Sequence, residues 1–244
     1  MRLGRTRVIQ AVTLIALLGV YEALSRSGRF YQGAIPPLAD IAQAFFAQLL
    51  QPDLYLNLWV TAYEVVLGFV IAMVSGVLLG IVLGTTPLLS TVVTPFVDSL
   101  ATTPKIIFLP IAMLLVGTGP PSKVLMAALS AIFPVMIAVA AGMRQISPVL
   151  IRVGQSFRCS WWQMVTKIYM PSLRLPIISG ARLGFGLCII ITLLSEIKIS
   201  KLGMGFLTID AYNHYQIPQM YALLLLIFII AVGMNALLSR LTAR

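Results

Sequence analysis

The chain has 244 residues, 59% of them apolar and 10% charged, with a mean hydropathy of +0.99 and a formal net charge of +10. Soluble domains carry about 25% charged residues, so this deficit makes lipid the solvent for most of the chain and leaves no room for a soluble catalytic module. A single all-α integral membrane domain over residues 1–244 is expected.

A bilayer core of about 30 Å takes about 20 apolar residues to cross as a helix. Six runs qualify, at about 8–24, 59–83, 88–116, 124–142, 177–197 and 221–238. Arg2, Arg5 and Arg7 ahead of the first run also fit the head of a secretory signal with Ala23-Leu24-Ser25 as its cleavage site. The multispan sequence beyond it favours an uncleaved first helix. Between the first two runs, Leu38, Ile41, Ala42, Phe45, Phe46 and Leu49 recur at helical spacing and predict an amphipathic helix in the membrane interface.

The second run carries Gly68, Ala72, Gly76, Gly80 and Gly84, a small residue at every fourth position. Residues four apart share a helix face, so this register predicts a seam where another backbone approaches closely. The third run is interrupted by Pro95, Pro104 and Pro110 and the fourth by Pro134, all expected to kink rather than end their helices. Within the spans lie Glu64, Asp98, Lys105, Arg182 and Glu196. A charge at the bilayer centre costs at least about 2.5–3.5 kcal/mol, so such residues face a bundle interior or a wet cavity unless they lie near enough to an end to snorkel. Lys105 and Glu64 are the best candidates for lining a translocation pathway, with a Glu64–Lys105 pair as the structural alternative.

The turn Gly117 to Lys123 (GTGPPSK) superficially suggests a phosphate loop, but Ser122 stands where the second glycine is needed and Val124 where the magnesium-binding hydroxyl is needed. It reads as a turn. His214 has no second metal ligand at useful spacing, and no pair of carboxylates stands ready for acid–base work. Cys159 and Cys188 read as packing residues.

Residues 143–176, between the fourth and fifth runs, carry Arg and Lys but no carboxylate. Ser147-Pro148 predicts a helix start, and Ser160 with Gln163 predicts a capping box opening a second helix. Trp161, Met164, Val165 and Ile168 are expected on one face of it, with Pro171 as its end. Orientation follows from Lys and Arg at the span ends. With the N-terminus inside, Arg2, Arg5, Arg7, Arg144, Arg152, Arg158, Lys167, Arg174, Arg240 and Arg244 are cytoplasmic, against Arg26, Arg29, Lys123, Lys198 and Lys201 outside. The net positive charge is therefore a topology signal rather than a mark of nucleic-acid binding.

From Pro36 to Leu238 the chain resembles the permease subunits of bacterial ABC importers of the nitrate, taurine and alkanesulfonate group. The resemblance rests on Leu67-Gly68-Phe69 with Gly76 and Leu79-Gly80, on Pro104-Lys105 with Leu109-Pro110, and on Gly117-Thr118-Gly119 with Ser122-Lys123. It continues through Pro171, Pro176, Gly180 and Arg182 to Glu196 and Gly203-Met204-Gly205. It implies an all-α, six-span, type I importer-like permease domain in the bacterial cytoplasmic (inner) membrane, with the segment 143–176 as a coupling loop. Counting back from Pro171, Arg152, Val153 and Gly154 stand where that family carries Glu-Ala-Ala, and Arg158 where it carries glycine.

The resemblance further implies a homodimer or heterodimer of permeases, two cytoplasmic ATPase subunits that hold ATP and Mg, and a soluble or lipid-anchored substrate-binding protein. No cofactor is expected on this chain. Ser160, Trp161, Trp162, Gln163, Met164 and Ile168, with Arg152 and Arg158, would couple to the ATPase. Glu64, Lys105 and Glu196 would belong to the pathway of a small, anionic solute. An ion-coupled secondary transporter is the alternative, and the inverted internal repeats common in such folds are not visible in the sequence.

Overall fold

The computed structural model describes residues 2–27 and 34–242; Arg29 and Arg244, two of the charges used for orientation, lie outside them. All regular elements among the described residues are helical. They are α1 (Arg2–Arg26), α2 (Leu38–Leu49), α3 (Pro52–Thr85), α4 (Pro87–Thr102), a 3-10 turn (Lys105–Phe108), α5 (Leu109–Val116) and α6 (Pro120–Arg144). Next come α7 (Pro148–Ser156), α8 (Trp161–Met164), a π turn (Val165–Tyr169), α9 (Met170–Ser172), α10 (Arg174–Ile199), α11 (Met204–Asn213) and α12 (Ile217–Thr242). Proline opens α3 to α7, where a missing N–H leaves no intrahelical bond unmade.

Five helices are long and apolar enough to cross a membrane, and the pair formed by α4 and the segment Lys105–Val116 supplies a sixth candidate. The centre of the bundle is α6, which packs along α3 on one side and α10 on the other. The small-residue register of the second apolar run builds the first of these contacts. A Cβ added to Gly68 would lie 2.7 Å from the Cβ of Ala127, and one added to Gly80 would lie 2.7 Å from the Cβ of Val139 and 2.8 Å from the carbonyl oxygen of Met136. Neither separation leaves room for a side chain. Replacing Gly80 with leucine is therefore expected to destabilise the bundle by about 1–3 kcal/mol through overpacking, read as a lower unfolding temperature in detergent; an unchanged temperature would refute the close approach.

The third apolar run departs from expectation. Pro95 and Pro134 do remain inside continuous helices, but at Thr103-Pro104 the chain breaks, and α4 and the segment beyond it meet at 91°. Proline disfavours the helical conformation of the residue before it, and Thr103 is extended, with ψ 133°. The Lys105 ammonium folds back to donate to the Ala101 carbonyl, one of the acceptors orphaned at the end of α4.

The helix α2 is amphipathic as expected and lies along α12. α1 is joined to the rest through its last turns. Tyr21 donates its hydroxyl to the Pro36 carbonyl at 3.1 Å, Ser25 donates to that of Ile35 at 2.8 Å, and the Glu22 carboxylate accepts the Leu38 N–H at 3.0 Å. The apolar side chains from Val8 to Val20 are exposed, as suits a lipid-facing span.

Candidate functional site: docking helix and buried charge network

Two features stand out at opposite ends of α6. At the end that carries Arg144, Ile151 of α7 and Met164 of α8 pack into the cluster of Ile81, Val139 and Met143. Ser147 caps α7 by accepting the Val149 N–H at 3.3 Å. Ser160 and Gln163 form the expected capping box. The Gln163 N–H donates to the Ser160 hydroxyl at 3.3 Å, and the Ser160 N–H donates to Gln163 Oε1 at 2.8 Å. Both helix starts are therefore legible in the sequence.

Beyond α8 the backbone departs from the sequence expectation. The chain widens into the π turn ahead of Pro171, which lies inside α9; that helix stops one residue later at Ser172, with a turn at Leu173 before α10. A proline in an α-helix leaves the carbonyl four residues earlier without its donor, and a single wider turn accommodates such a defect. The expected shared face is also divided. Met164 and Val165 turn inward and Ile168 is half-buried, whereas Trp161 and Trp162 are 60% and 66% exposed, with ring centroids 6.4 Å apart. α7 packs on the π turn, leaving the first turn of α8 uncovered.

Two departures from the family pattern acquire a physical meaning here. At Gly154 an added Cβ would fall 2.5 Å from Met164 Sδ and 2.6 Å from Ile168 Cδ1, so the missing side chain lets α7 seat on these residues. Arg158 has φ 53°, the left-handed region that costs an ordinary residue about 1–2 kcal/mol and glycine little. The position where the family carries glycine is thus one whose backbone favours it. Ser160, Gln163, Arg152 and Arg158 are all exposed. Val149 and Val153 on α7, with Phe157 just after it, are exposed apolar residues at four-residue spacing; that spacing is present in the sequence and is the signal that would have found them.

At the other end of α6, the charges inside the spans form a network. Glu64 of α3 and Glu196 of α10 are 0% exposed and Lys123 of α6 is 2% exposed. The Lys123 ammonium lies 2.5 Å from Glu64 Oε1 and donates to the Ser200 hydroxyl at 2.9 Å. Glu196 accepts the Thr61 hydroxyl at 2.7 Å on one oxygen and the Gly205 N–H at 2.7 Å on the other. Thr61 accepts the Met204 N–H at 2.8 Å, and Asn57 Oδ1 accepts the Gly203 N–H at 2.6 Å. The corner between α10 and α11 is thereby fastened to α3 and α6. Gly203, at φ 111°, has a left-handed backbone, and a side chain there would run into the Glu196 carboxylate.

This corrects the pairing suggested by sequence: the partner of Glu64 is Lys123, not Lys105. Lys123 lies in the first turn of α6, just after the Gly117–Gly119 turn, and is not a solvated loop charge. Lys105 stands apart from the network, with its ammonium 5.0 Å from the centre of the Phe133 ring. Arg182 and Asp98 are exposed on α10 and α4. Among the described residues no cluster of three or more His, Cys, Asp or Glu side chains is placed to hold a metal. Cys188 is buried and donates its thiol to the Ala127 carbonyl at 3.5 Å, and Cys159 is half-buried.

Fold and site together define a polytopic helical membrane protein with an aromatic surface helix at one end of its core and a locked polar corner at the other. Residues 76–244 match the family model described as binding-protein-dependent transport system inner membrane component, and the chain belongs to that family. It is similar to a putative aliphatic sulfonates transport permease protein of Bacillus subtilis, 26% identical over 206 residues that cover 84% of this chain and 75% of the relative. A nitrate import permease protein of Synechocystis is 28% identical over 238 residues, covering 93% and 85%. The taurine transport system permease protein of Escherichia coli is 23% identical over 249 residues, covering 98% and 90%.

Proposed function

We propose that this chain is a permease subunit of an ATP-driven, binding-protein-dependent importer and forms half of a translocation pathway, completed by a second copy or a close relative. Residues 1–244 act as one membrane domain in the bacterial inner membrane, with both termini in the cytoplasm. ATP and Mg belong to a pair of peripheral ATPases, and a soluble or lipid-anchored binding protein delivers cargo from the opposite side. The relatives named for sulfonates, nitrate and taurine support a small solute bearing an acid group.

The observation that carries this reading is the exposed Trp161–Trp162 pair on a short helix that is capped at its start and seated on Gly154 through Met164 and Ile168. Exposed aromatics on a rigid support are the usual anchors of a protein interface. Arg152 and Arg158 precede them in the chain and suit an acidic rim on the ATPase. Lys105 borders the pathway, and Glu64 and Glu196 influence it from within the wall by holding the corner beyond α10. The test is uptake into vesicles that contain the permease with its binding protein. Accumulation should require both ATP and the added ATPase; accumulation driven by an ion gradient alone would overturn the reading in favour of a secondary transporter.

A further inference from the structure

The helix α4 has three faces. Val93, Val97 and Ala101 pack against Leu83, Phe133, Met136 and Ala140. Leu89, Phe96 and Leu100 form an exposed apolar face fit for lipid. Between them run Thr91, Asp98, Ser99 and Thr102, all exposed, on one side of the helix together with Pro95 and the exposed Leu88 and Val92. Asp98 has no ion-pair partner among the described residues. It lies eleven residues from the start of α4, about 16 Å along the helix, and so far from the end where α3 hands over to α4. A carboxylate at that depth faces water or a polar partner and not acyl chains.

The hydrogen bonding of this face gives it a definite polarity. The Thr91 hydroxyl donates to the Pro87 carbonyl at 3.0 Å, that of Ser99 to Pro95 at 2.8 Å, and that of Thr102 to Ser99 at 3.0 Å. Each hydroxyl proton is committed to the helix, so the lone pairs are what the face presents outward. Pro95 has no N–H for the Thr91 carbonyl, which adds a further free acceptor on the same side. With the Asp98 carboxylate, the polar groups of this surface are acceptors, set among the exposed side chains of Leu88 and Val92.

We infer that this face of α4 is the wet wall along which cargo passes, that Asp98 touches the cargo, and that the wall suits a solute carrying an ammonium or N–H group beside its acid group. The inference deepens the importer reading and rests on it for the passage of cargo. Lys105, the cation nearest along the chain, is withdrawn beneath the bend with its ammonium on the Ala101 carbonyl and leaves the acceptors uncompensated.

Thiol labelling of the assembled permease–ATPase complex in vesicles tests this without requiring transport. With Cys159→Ser and Cys188→Ala in place, single T91C, S99C and T102C variants are exposed to membrane-impermeant thiosulfonates, one cationic and one anionic. Reaction is expected at all three positions, with the cationic reagent about five-fold faster at position 99 because the nearby carboxylate concentrates cations. That preference should vanish in D98N and persist in D98E. F96C and L89C, on the apolar face, should react with neither reagent.

Equal reactivity at positions 96 and 99, silence at 91, 99 and 102, or a preference indifferent to D98N would each overturn the inference. So would oxidative cross-linking of S99C to a second copy without labelling, since the face would then be an interface between copies. Absence of ATP-driven uptake by the parent complex, with the labelling pattern intact, would instead remove the importer reading and leave the wet wall standing.

Discussion

Replacing Trp161 and Trp162 together with glutamate is expected to abolish co-purification of the ATPase and to lower ATP-driven uptake at least ten-fold, by order of magnitude, while leaving the amount of folded permease unchanged. Full burial of a tryptophan removes about 150–250 Å² from water, on the order of 4–6 kcal/mol at about 25 cal/mol per Å². Both rings are 60% or more exposed, so well over half of that remains to be gained on docking. Even after the entropy of association takes its share, losing two such anchors and placing two carboxylates in their groove removes most of an ordinary interface's affinity. The permease itself is insulated, because Met164, Val165 and Ile168, not the tryptophans, attach the helix to the bundle. Pull-down with the ATPase and uptake assays check the two halves. If the ATPase still binds and cargo accumulates at the parent rate, α8 is not the joint.

The second large effect is expected from Lys123→Met. It removes the ammonium beside a Glu64 carboxylate that has no exposure at all, leaving a buried charge without a cation. Breaking a buried pair from one side costs about 3–5 kcal/mol, a large fraction of a total stability of about 5–15 kcal/mol. The variant should therefore unfold well below the parent in detergent and reach the membrane in low yield. Adding Glu64→Gln should recover most of the loss, because a neutral pair no longer carries a stranded charge. This non-additivity is the signature of direct contact. Were K123M as stable as the parent, or were the double variant worse than the single, the network would not be holding the corner.

The parts of the molecule that sequence discloses are those whose signal is local. The glycine register of α3, the amphipathic spacing of α2, the proline-led starts and the Ser160–Gln163 box each lie within one or two turns, and each reappears in the structure. The misreadings arise where distant residues decide. Nothing in the immediate neighbourhood of Glu64 distinguishes Lys105 from Lys123 as its partner; only the seam between α3 and α6 sets Lys123 beside it. Pro104 and Pro134 look alike in sequence, yet one ends a helix and the other does not. The difference lies in what satisfies the surrounding backbone, including a lysine side chain folding back onto Ala101. Of the candidate residues, Trp161 and Trp162 could be read from their cap, whereas Thr61 and Asn57 were invisible because hydroxyl and amide groups matter here only for the backbone they meet across the bundle.

The seam also constrains how this protein can diverge. Because Gly68 and Gly80 confront Ala127 and Val139 with no space between them, α3 and α6 cannot drift independently. A lineage that enlarges one partner survives only if it shrinks the other or tolerates a lame intermediate. Across descendants these positions should change in matched pairs or not at all, so that two helices record a single history.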